Sequence, residues 1–243
     1  MRPWLERLLD PSAHIAHKLQ DAVVDPAAHF LTTTIESFGP PITAVVVATL
    51  LQASLPHRVG QTRWIFVGIS IVLLVVFAFV NPRQIERRHK PLRGVMLVLV
   101  GLLSLGNAIA GAELVIDLVN SEGIRDPGTL LRTGGAIWLT NVIVFSLWYW
   151  LFDRGGPYAR GHDDIPVPPG FLFPQMQDGT PAPVGWRPEY VDYLYLSFTN
   201  ALAFSPTDVM PLKHWAKLTM LVQSLVSLMI AILVIARAVN ILH

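Results

Sequence analysis

The sequence predicts an all-α integral membrane protein, and three observations lead to that prediction. Hydrophobic residues make up 52% of the 243-residue chain and charged residues only 14%, whereas a water-soluble domain carries roughly 25% charged residues. Several stretches of about 20 residues lack Asp, Glu, Lys and Arg, which is the length of helix that crosses the apolar core of a bilayer. The net charge of +1 argues against a nucleic-acid-binding face, and the hydrophobicity rules out a disordered chain.

Five such stretches predict five long transmembrane helices. They are 37–56, 64–80, 94–112, 133–152 and 218–236, the third with an apolar continuation to about residue 119. In the first stretch, Pro40 and Pro41 are expected to delay the helix until Ile42. The first three helices therefore occupy 37–119. The last two belong to a C-terminal module over 133–243, with an outer helix at 133–152 and an inner helix at 217–241.

A sixth apolar segment, between the outer and inner helices, is shorter and more polar. As a helix, the 15 residues of 193–207 would reach only about 22 Å, and Pro206 closes the segment. Ser197, Thr199 and Asn200 make it an unfavourable surface for lipid. The sequence predicts a re-entrant helix at about 193–204 followed by non-helical backbone, which survives at membrane depth only inside protein or against water. The alternative is a short, tilted sixth span within the bundle.

Two further segments flank these helices. Residues 1–36 show apolar residues at helical spacing, interrupted by Pro11 and Pro26. They predict an amphipathic segment that lies on the membrane surface or covers the bundle, and early charged residues argue against a secretory signal peptide. Residues 153–191 contain eight prolines and predict an extended loop without regular structure.

The last third of the chain carries a series of motifs. Ser197 and Thr199 lie in an aromatic-x-S-x-T pattern, Asp208 and Pro211 form D-x-x-P, and an apolar helix follows. Over roughly 133–241 this order resembles the pore helix, filter and inner helix of tetrameric potassium channels. WLTNVIVFSLWYW, DRGGP, FPQM, SFTNALAFSPTD and ARAVNIL together resemble an uncharacterised family of bacterial multi-pass membrane proteins. The resemblance implies a bacterial inner-membrane location and a pore built by several copies, four if the likeness to channels holds.

The filter itself departs from that resemblance. Five residues occupy the positions of the TVGYG filter, namely Ala203, Phe204, Ser205, Pro206 and Thr207. The glycines of the family let successive carbonyl groups face a dehydrated ion, whereas proline fixes the backbone. The candidate pore or filter residues are these five with Thr199, Asn200 and Asp208. The sequence predicts that such a pore would not select potassium by the usual filter.

Basic residues predict the orientation in the membrane. The re-entrant interpretation puts 13 of the 18 Lys and Arg residues on one face, and the six-span interpretation puts 12 there. Both place the N-terminus and the Arg-rich loop 82–93 in the cytoplasm. The channel resemblance conflicts with the re-entrant interpretation. In potassium channels the filter mouth faces outward, whereas the re-entrant interpretation places it on the cytoplasmic face.

Polar residues inside the spans supply further candidates. Glu113 and Asp117 share one face of the third helix and form a candidate proton or cation site. The alternatives are contact with water or pairing with Arg125 or Arg132. On the inner helix, Gln223, Ser224 and Ser227 form a polar stripe that either lines an aqueous path or bonds to neighbouring helices. Asp208 either holds its turn or contributes to an acidic ring.

These observations favour an ion-channel-like, oligomeric membrane protein over an enzyme. There is no cysteine, and no Walker loop, nucleophile elbow or H-E-x-x-H motif, so no catalytic residue, metal or cofactor is predicted. The expected partners are the lipid bilayer, a small ion and further copies of the chain. The alternatives are a non-conducting structural or interaction protein that retains the channel-like hairpin, and a proton-coupled transporter that uses Glu113 and Asp117.

Overall fold

A computed structural model describes most of the chain, and within it the protein is all-α. The described ranges are 37–56, 63–79, 85–120, 126–160, 167–177, 186–202 and 208–242. The predicted amphipathic segment 1–36 and the five filter positions 203–207 lie outside these ranges. Their structural predictions therefore remain predictions.

Seven α-helices and one pair of very short strands make up the described residues. The helices are α1 (Gly39–Ala53), α2 (Arg63–Phe79), α3 (Ile85–Asn120), α4 (Pro127–Phe152), α5 (Pro157–Arg160), α6 (Tyr190–Leu202) and α7 (His214–Leu242). Strand β1 (Phe171–Leu172) pairs antiparallel with β2 (Met210–Pro211), with Phe171 opposite Pro211. Single 3-10 turns lie at Asp153–Gly155 and Pro174–Met176.

Within the described part of the chain, three helices are long and apolar enough to cross a membrane. They are Arg93–Asn120 in α3, Pro127–Gly155 around α4, and His214–Asn240 in α7. Helix α1 is apolar but has only 15 residues, or about 22 Å, against the ~30 Å of a bilayer core. The three candidate spans indicate an integral membrane protein.

Several helices begin earlier than the sequence predicted, because the start signals lie outside the apolar stretch. Helix α1 begins at Gly39 and not at Ile42, since prolines in a first turn lack only N–H groups that would be unbonded anyway. Helix α4 begins at Pro127, where the Asp126 carboxylate accepts a 2.7 Å hydrogen bond from the Thr129 N–H. Hydrogen bonds from Thr129 hold the pKa of Asp126 below its usual range.

Two predicted loops contain regular structure. The prediction that the Arg-rich residues 82–93 form a loop was wrong. Helix α3 already begins at Ile85 and runs without interruption to Asn120. Charged residues indicate where the membrane-spanning part of a helix ends, but they do not end the helix itself. Glu, Arg and Lys are good helix formers, so α3 extends beyond its apolar stretch. The Pro-rich region 153–191, expected to lack regular structure, contains α5, β1 and two 3-10 turns.

Helix α4 is the centre of the bundle. It packs against α1, α3, α6 and α7, and Ile137, Leu147, Tyr149 and Trp150 along it are all buried. The helices around α4 instead expose apolar side chains on their outer faces. The interior of this bundle thus lies around α4, and a buried polar site can form only where the neighbouring helices contact it.

Gly134 and Gly135 give a matched pair for testing the packing of α4 against α7. A Cβ on Gly134 would lie 2.6 Å from Val234 Cγ2, whereas nothing lies within 4 Å of a Cβ on Gly135. We expect Gly134→Ala to lower the free energy of unfolding by about 1–3 kcal/mol through overpacking. Gly135→Ala should leave it unchanged or raise it by up to about 1 kcal/mol through helix propensity. Denaturant titration of the detergent-solubilised protein by circular dichroism checks this, and equal effects of the two substitutions would contradict the packing.

Candidate functional site

The polar side chains of α6 meet those of α4 and α7 in one buried hydrogen-bond network. The Gln223 Nε2 donates to the backbone oxygen of Ser197 at 2.9 Å and to its Oγ at 2.7 Å. The Gln223 Oε1 accepts from the Tyr149 hydroxyl at 2.6 Å and from Asn200 Nδ2 at 2.8 Å. We call Tyr149, Ser197, Asn200 and Gln223 the Gln223 network. Both donors and both acceptor positions of the Gln223 amide are occupied within it.

Further bonds join the same three helices. The Ser197 Oγ donates to the Val142 carbonyl of α4 at 2.6 Å. The Ser224 Oγ lies 3.1 Å from both oxygens of Asn200, and Asn141 Nδ2 donates to Ser227 Oγ at 2.9 Å. The predicted stripe of Gln223, Ser224 and Ser227 therefore bonds to α6 and α4, which is the arrangement expected of an interhelical contact.

Spacing explains why these residues converge. Ser197 and Asn200 lie three positions apart on α6, and Gln223 and Ser227 lie four apart on α7, so each pair shares one helix face. The opposite face of α7 is apolar and exposed. It presents Leu218, Leu221, Leu225, Leu228, Ile232 and Ile235, among others. Helix α7 is thus polar towards α4 and α6 and apolar towards its surroundings.

A second buried cluster ties the end of α4 to the start of α6. Asp153 is fully buried, and its Oδ2 accepts a 2.7 Å hydrogen bond from the Tyr193 hydroxyl. Its Oδ1 accepts from the Gly170 N–H at 2.5 Å. A Cβ on Gly170 would collide with the Trp215 ring, so glycine permits this close approach of the loop to α7.

Arg160 stabilises the same turn by hydrogen bonds to its backbone. Its Nη1 donates to the carbonyls of Trp150 and Asp153 at 2.7 and 2.9 Å, and the Asp153 carbonyl also accepts from the Gly156 N–H at 2.9 Å. The guanidinium also lies 5.1 Å from the centroid of the Tyr193 ring. The Arg187 guanidinium in turn donates to the Arg160 carbonyl. The arginine therefore stabilises the exit of α4 through backbone bonds and an aromatic contact.

The DRGGP motif makes this turn possible. Gly155 and Gly156 have φ of +80° and +95°, next to Arg154 at +50°, a region that glycine enters without steric cost. The motif is visible in the sequence, but no local pattern predicts a role for Asp153, Arg160 or Tyr193. The available signal was a carboxylate that follows a 20-residue apolar helix and precedes two glycines.

The remaining candidate residues lie apart from these clusters. The Thr199 Oγ1 bonds back to Tyr195 and Leu196 carbonyls of its own helix at 3.0 Å. Asp208 is exposed before β2. Glu113 and Asp117 are both partly buried on α3. The described residues contain no group of three or more His, Cys, Asp or Glu side chains arranged to hold a metal ion.

The fold and these clusters define an all-α bundle with three candidate membrane spans, in which a short helix is held between two long ones by hydrogen bonds. The chain matches no protein-family model, no curated protein and no solved structure.

We expect replacement of Gln223 to destabilise the bundle cooperatively with Tyr149. Gln223→Leu leaves the buried Tyr149 hydroxyl without an acceptor and removes one of the two hydrogen bonds of the half-buried Asn200 Nδ2, whose bond to the Met220 carbonyl remains. An unbonded buried donor costs about 1–3 kcal/mol, so the free energy of unfolding should fall by about 2–4 kcal/mol. In a double-mutant cycle with Tyr149→Phe, the coupling should be about 0.6–1.7 kcal/mol, the range of membrane hydrogen bonds. Unfolding in detergent measures both, with the exposed Leu225→Ala as the same-helix control. Strict additivity would show that the two side chains do not interact.

We expect Asp153→Asn to weaken the turn although it preserves side-chain volume. The asparagine NH₂ group would face either the Gly170 N–H or the Tyr193 hydroxyl, so one buried donor would lose its acceptor. The free energy of unfolding should fall by about 2 kcal/mol. In a Tyr193→Phe background one of the competing donors is absent, so Asp153→Asn should cost less. Equal losses in the two backgrounds would contradict the observed pairing.

Proposed function

We propose that the protein is a non-conducting integral membrane protein whose C-terminal hairpin serves a structural or interaction role. The observation that carries the proposal is the saturation of the Gln223 amide by groups of α4 and α6. A polar stripe that lined water would keep donors or acceptors for water or for an ion. Here the polar side chains of the Gln223 network bond to one another and hold α4, α6 and α7 together.

The outer surface of the hairpin supports the same proposal. If several copies surrounded an axis, each would have to line it with an exposed helix face. Between Leu218 and Val239 the exposed face of α7 consists of Leu, Ile, Val, Met and Ala side chains, which favour dewetting over hydration of a pore. Such a surface suits contact with lipid or with apolar helices.

In this proposal α3, α4 and α7 cross the membrane together with the shorter apolar helices α1 and α2, and α6 is a re-entrant helix between α4 and α7. The 13 residues of α6 reach about 20 Å, too short for a bilayer core of ~30 Å. Helix α6 packs against both α4 and α7, and this protein environment is what membrane-embedded backbone ends require. The N-terminus and the basic region 82–93 lie in the cytoplasm of a bacterial inner-membrane protein, as the excess of basic residues indicates.

A second candidate function is an oligomeric ion channel that is not potassium-selective. The order of a long helix, a short helix bonded between two long ones, and a second long helix favours it, because this is the order that the channel resemblance implies. The exposed Asp208 would then attract cations near the pore mouth.

Flux measurements separate the two candidates. We expect liposomes that contain the purified full chain to release K⁺, Na⁺, H⁺ and Cl⁻ no faster than protein-free liposomes. Native mass spectrometry of the same sample gives the number of copies in the assembly. Cation flux above the protein-free rate would overturn the non-conducting proposal. The channel candidate further requires Asp208→Asn to lower that flux while Asp126→Asn, another exposed carboxylate on a different part of the fold, leaves it unchanged.

A further inference from the structure

The exposed face of α7 carries a regular pattern of large aliphatic side chains. Their positions alternate three and four residues apart, and each side chain is between 37% and 62% exposed. We call this row the α7 seam, and its members are Leu218, Leu221, Leu225, Leu228, Ile232, Ile235 and Val239. The mean spacing of 3.5 residues is the repeat that lets two helices stay in contact along their whole length.

The α7 seam lies on the side of α7 that faces away from the rest of the chain. The residues of α7 that pack into the bundle, among them Gln223, Ser227 and Ile230, are buried, and none of them belongs to the seam. From Leu218 to Val239 the seam extends about 32 Å along the helix, which matches the ~30 Å apolar core of a bilayer. The seam is therefore available to another helix over the full thickness of the membrane.

Helix α3 shows that contact with lipid alone does not produce such a row. On its outward face Ala108 and Ala112 lie between Leu105 and Ile116, and all four residues are exposed. Lipid tails are as apolar as leucine, so a lipid-facing surface requires neither large side chains nor a fixed spacing. On α7, by contrast, every seam position holds a branched aliphatic residue.

The area and symmetry of the α7 seam fit a second copy of the same chain. Its seven side chains leave roughly 700 Å² exposed, within the about 600–1,000 Å² that each partner buries in a standard protein interface. A contact of seam against seam uses the same surface on both copies and therefore closes with two chains. The seam thus offers the area that a stable dimer needs.

We propose that α7 packs against α7 of a second copy of this chain, seam against seam, as a parallel pair within the membrane. Copies inserted in the same direction have parallel α7 helices, and a two-fold axis along the membrane normal brings each seam residue close to its counterpart. The seven-residue repeat implies a left-handed pair that crosses at about 20°. The inference rests on the proposed interaction role and names the partner for it.

Cysteine substitutions in adjacent pairs test the contact at two depths. The chain has no cysteine, so each substitution introduces a single thiol. Leu221→Cys and Ile235→Cys place it in the seam, whereas Val222→Cys and Ala236→Cys place it on the exposed flank beside the seam. The full-length variants are oxidised mildly in the membranes of the cells that express them. We expect disulfide-linked dimers to form at least about tenfold faster at the seam positions, because a disulfide requires Cα atoms within about 7 Å.

Counting the copies gives a second, independent test. Native mass spectrometry of the full chain in lipid nanodiscs should give the mass of two chains. Leu221→Ala combined with Ile235→Ala should lower the ratio of dimer to monomer roughly fivefold or more, since side-chain packing is a main attraction between helices in lipid. Val222→Ala combined with Met229→Ala, which removes exposed side chains from the flank, is the matched control and should leave the ratio within about twofold.

The outcomes separate this inference from the proposed function. Equal cross-linking at seam and flank, a mass of one chain or of more than two, or equal effects of the two double variants would each overturn the inference. Cation flux in liposomes would overturn the non-conducting function and would leave the cross-linking pattern unchanged.

Discussion

The hydrogen bonds of Gln223 are the interaction on which the arrangement of α4, α6 and α7 depends. A helix as short as α6 cannot keep its polar side chains and backbone ends in lipid, because each unbonded group there is costly. The Gln223 amide offers two donors and two acceptor positions, and Ser197, Asn200 and Tyr149 occupy all of them. One side chain of α7 thereby fixes α6 against both of its neighbours, and the outer face of α7 is left apolar.

Asp153 extends the same principle to the start of α6. Its carboxylate joins Tyr193 of α6 to Gly170 of the preceding loop, at the point where α4 ends in consecutive positive-φ residues. Helix α6 is consequently bonded to α4 near its first turn through Asp153 and further along through Ser197 and Val142. Because both attachments involve α4, the position of the short helix follows from the central helix of the bundle.

The helices could be predicted from the sequence because helices that suit a lipid environment are long stretches without charged residues. The sequence located their ends poorly because α3 continues into its basic region at Ile85 and α4 begins at a capped proline, both outside the apolar stretch. In the site, helical spacing predicted the polar stripe of Gln223, Ser224 and Ser227 on one helix. Their partner Tyr149 stood in an aromatic run typical of interfacial anchors. Asp153 was missed because its partners lie 17 and 40 residues away, a distance that no local pattern encodes.

The buried amides of this bundle differ in how far neighbouring helices satisfy them. Asn141, Asn200 and Gln223 each bond to a neighbouring helix, and each thereby contributes to association in lipid. An amide that served the same purpose at Asn107 would bond to α4 or α7 as well. Its oxygen instead has no partner among the described residues, and the same holds for the side-chain oxygen of Gln52. The bundle thus satisfies three amides through contacts between helices and leaves an oxygen unbonded on two others, Gln52 and Asn107, so hydrogen bonding between side chains of different helices is concentrated where α4, α6 and α7 meet.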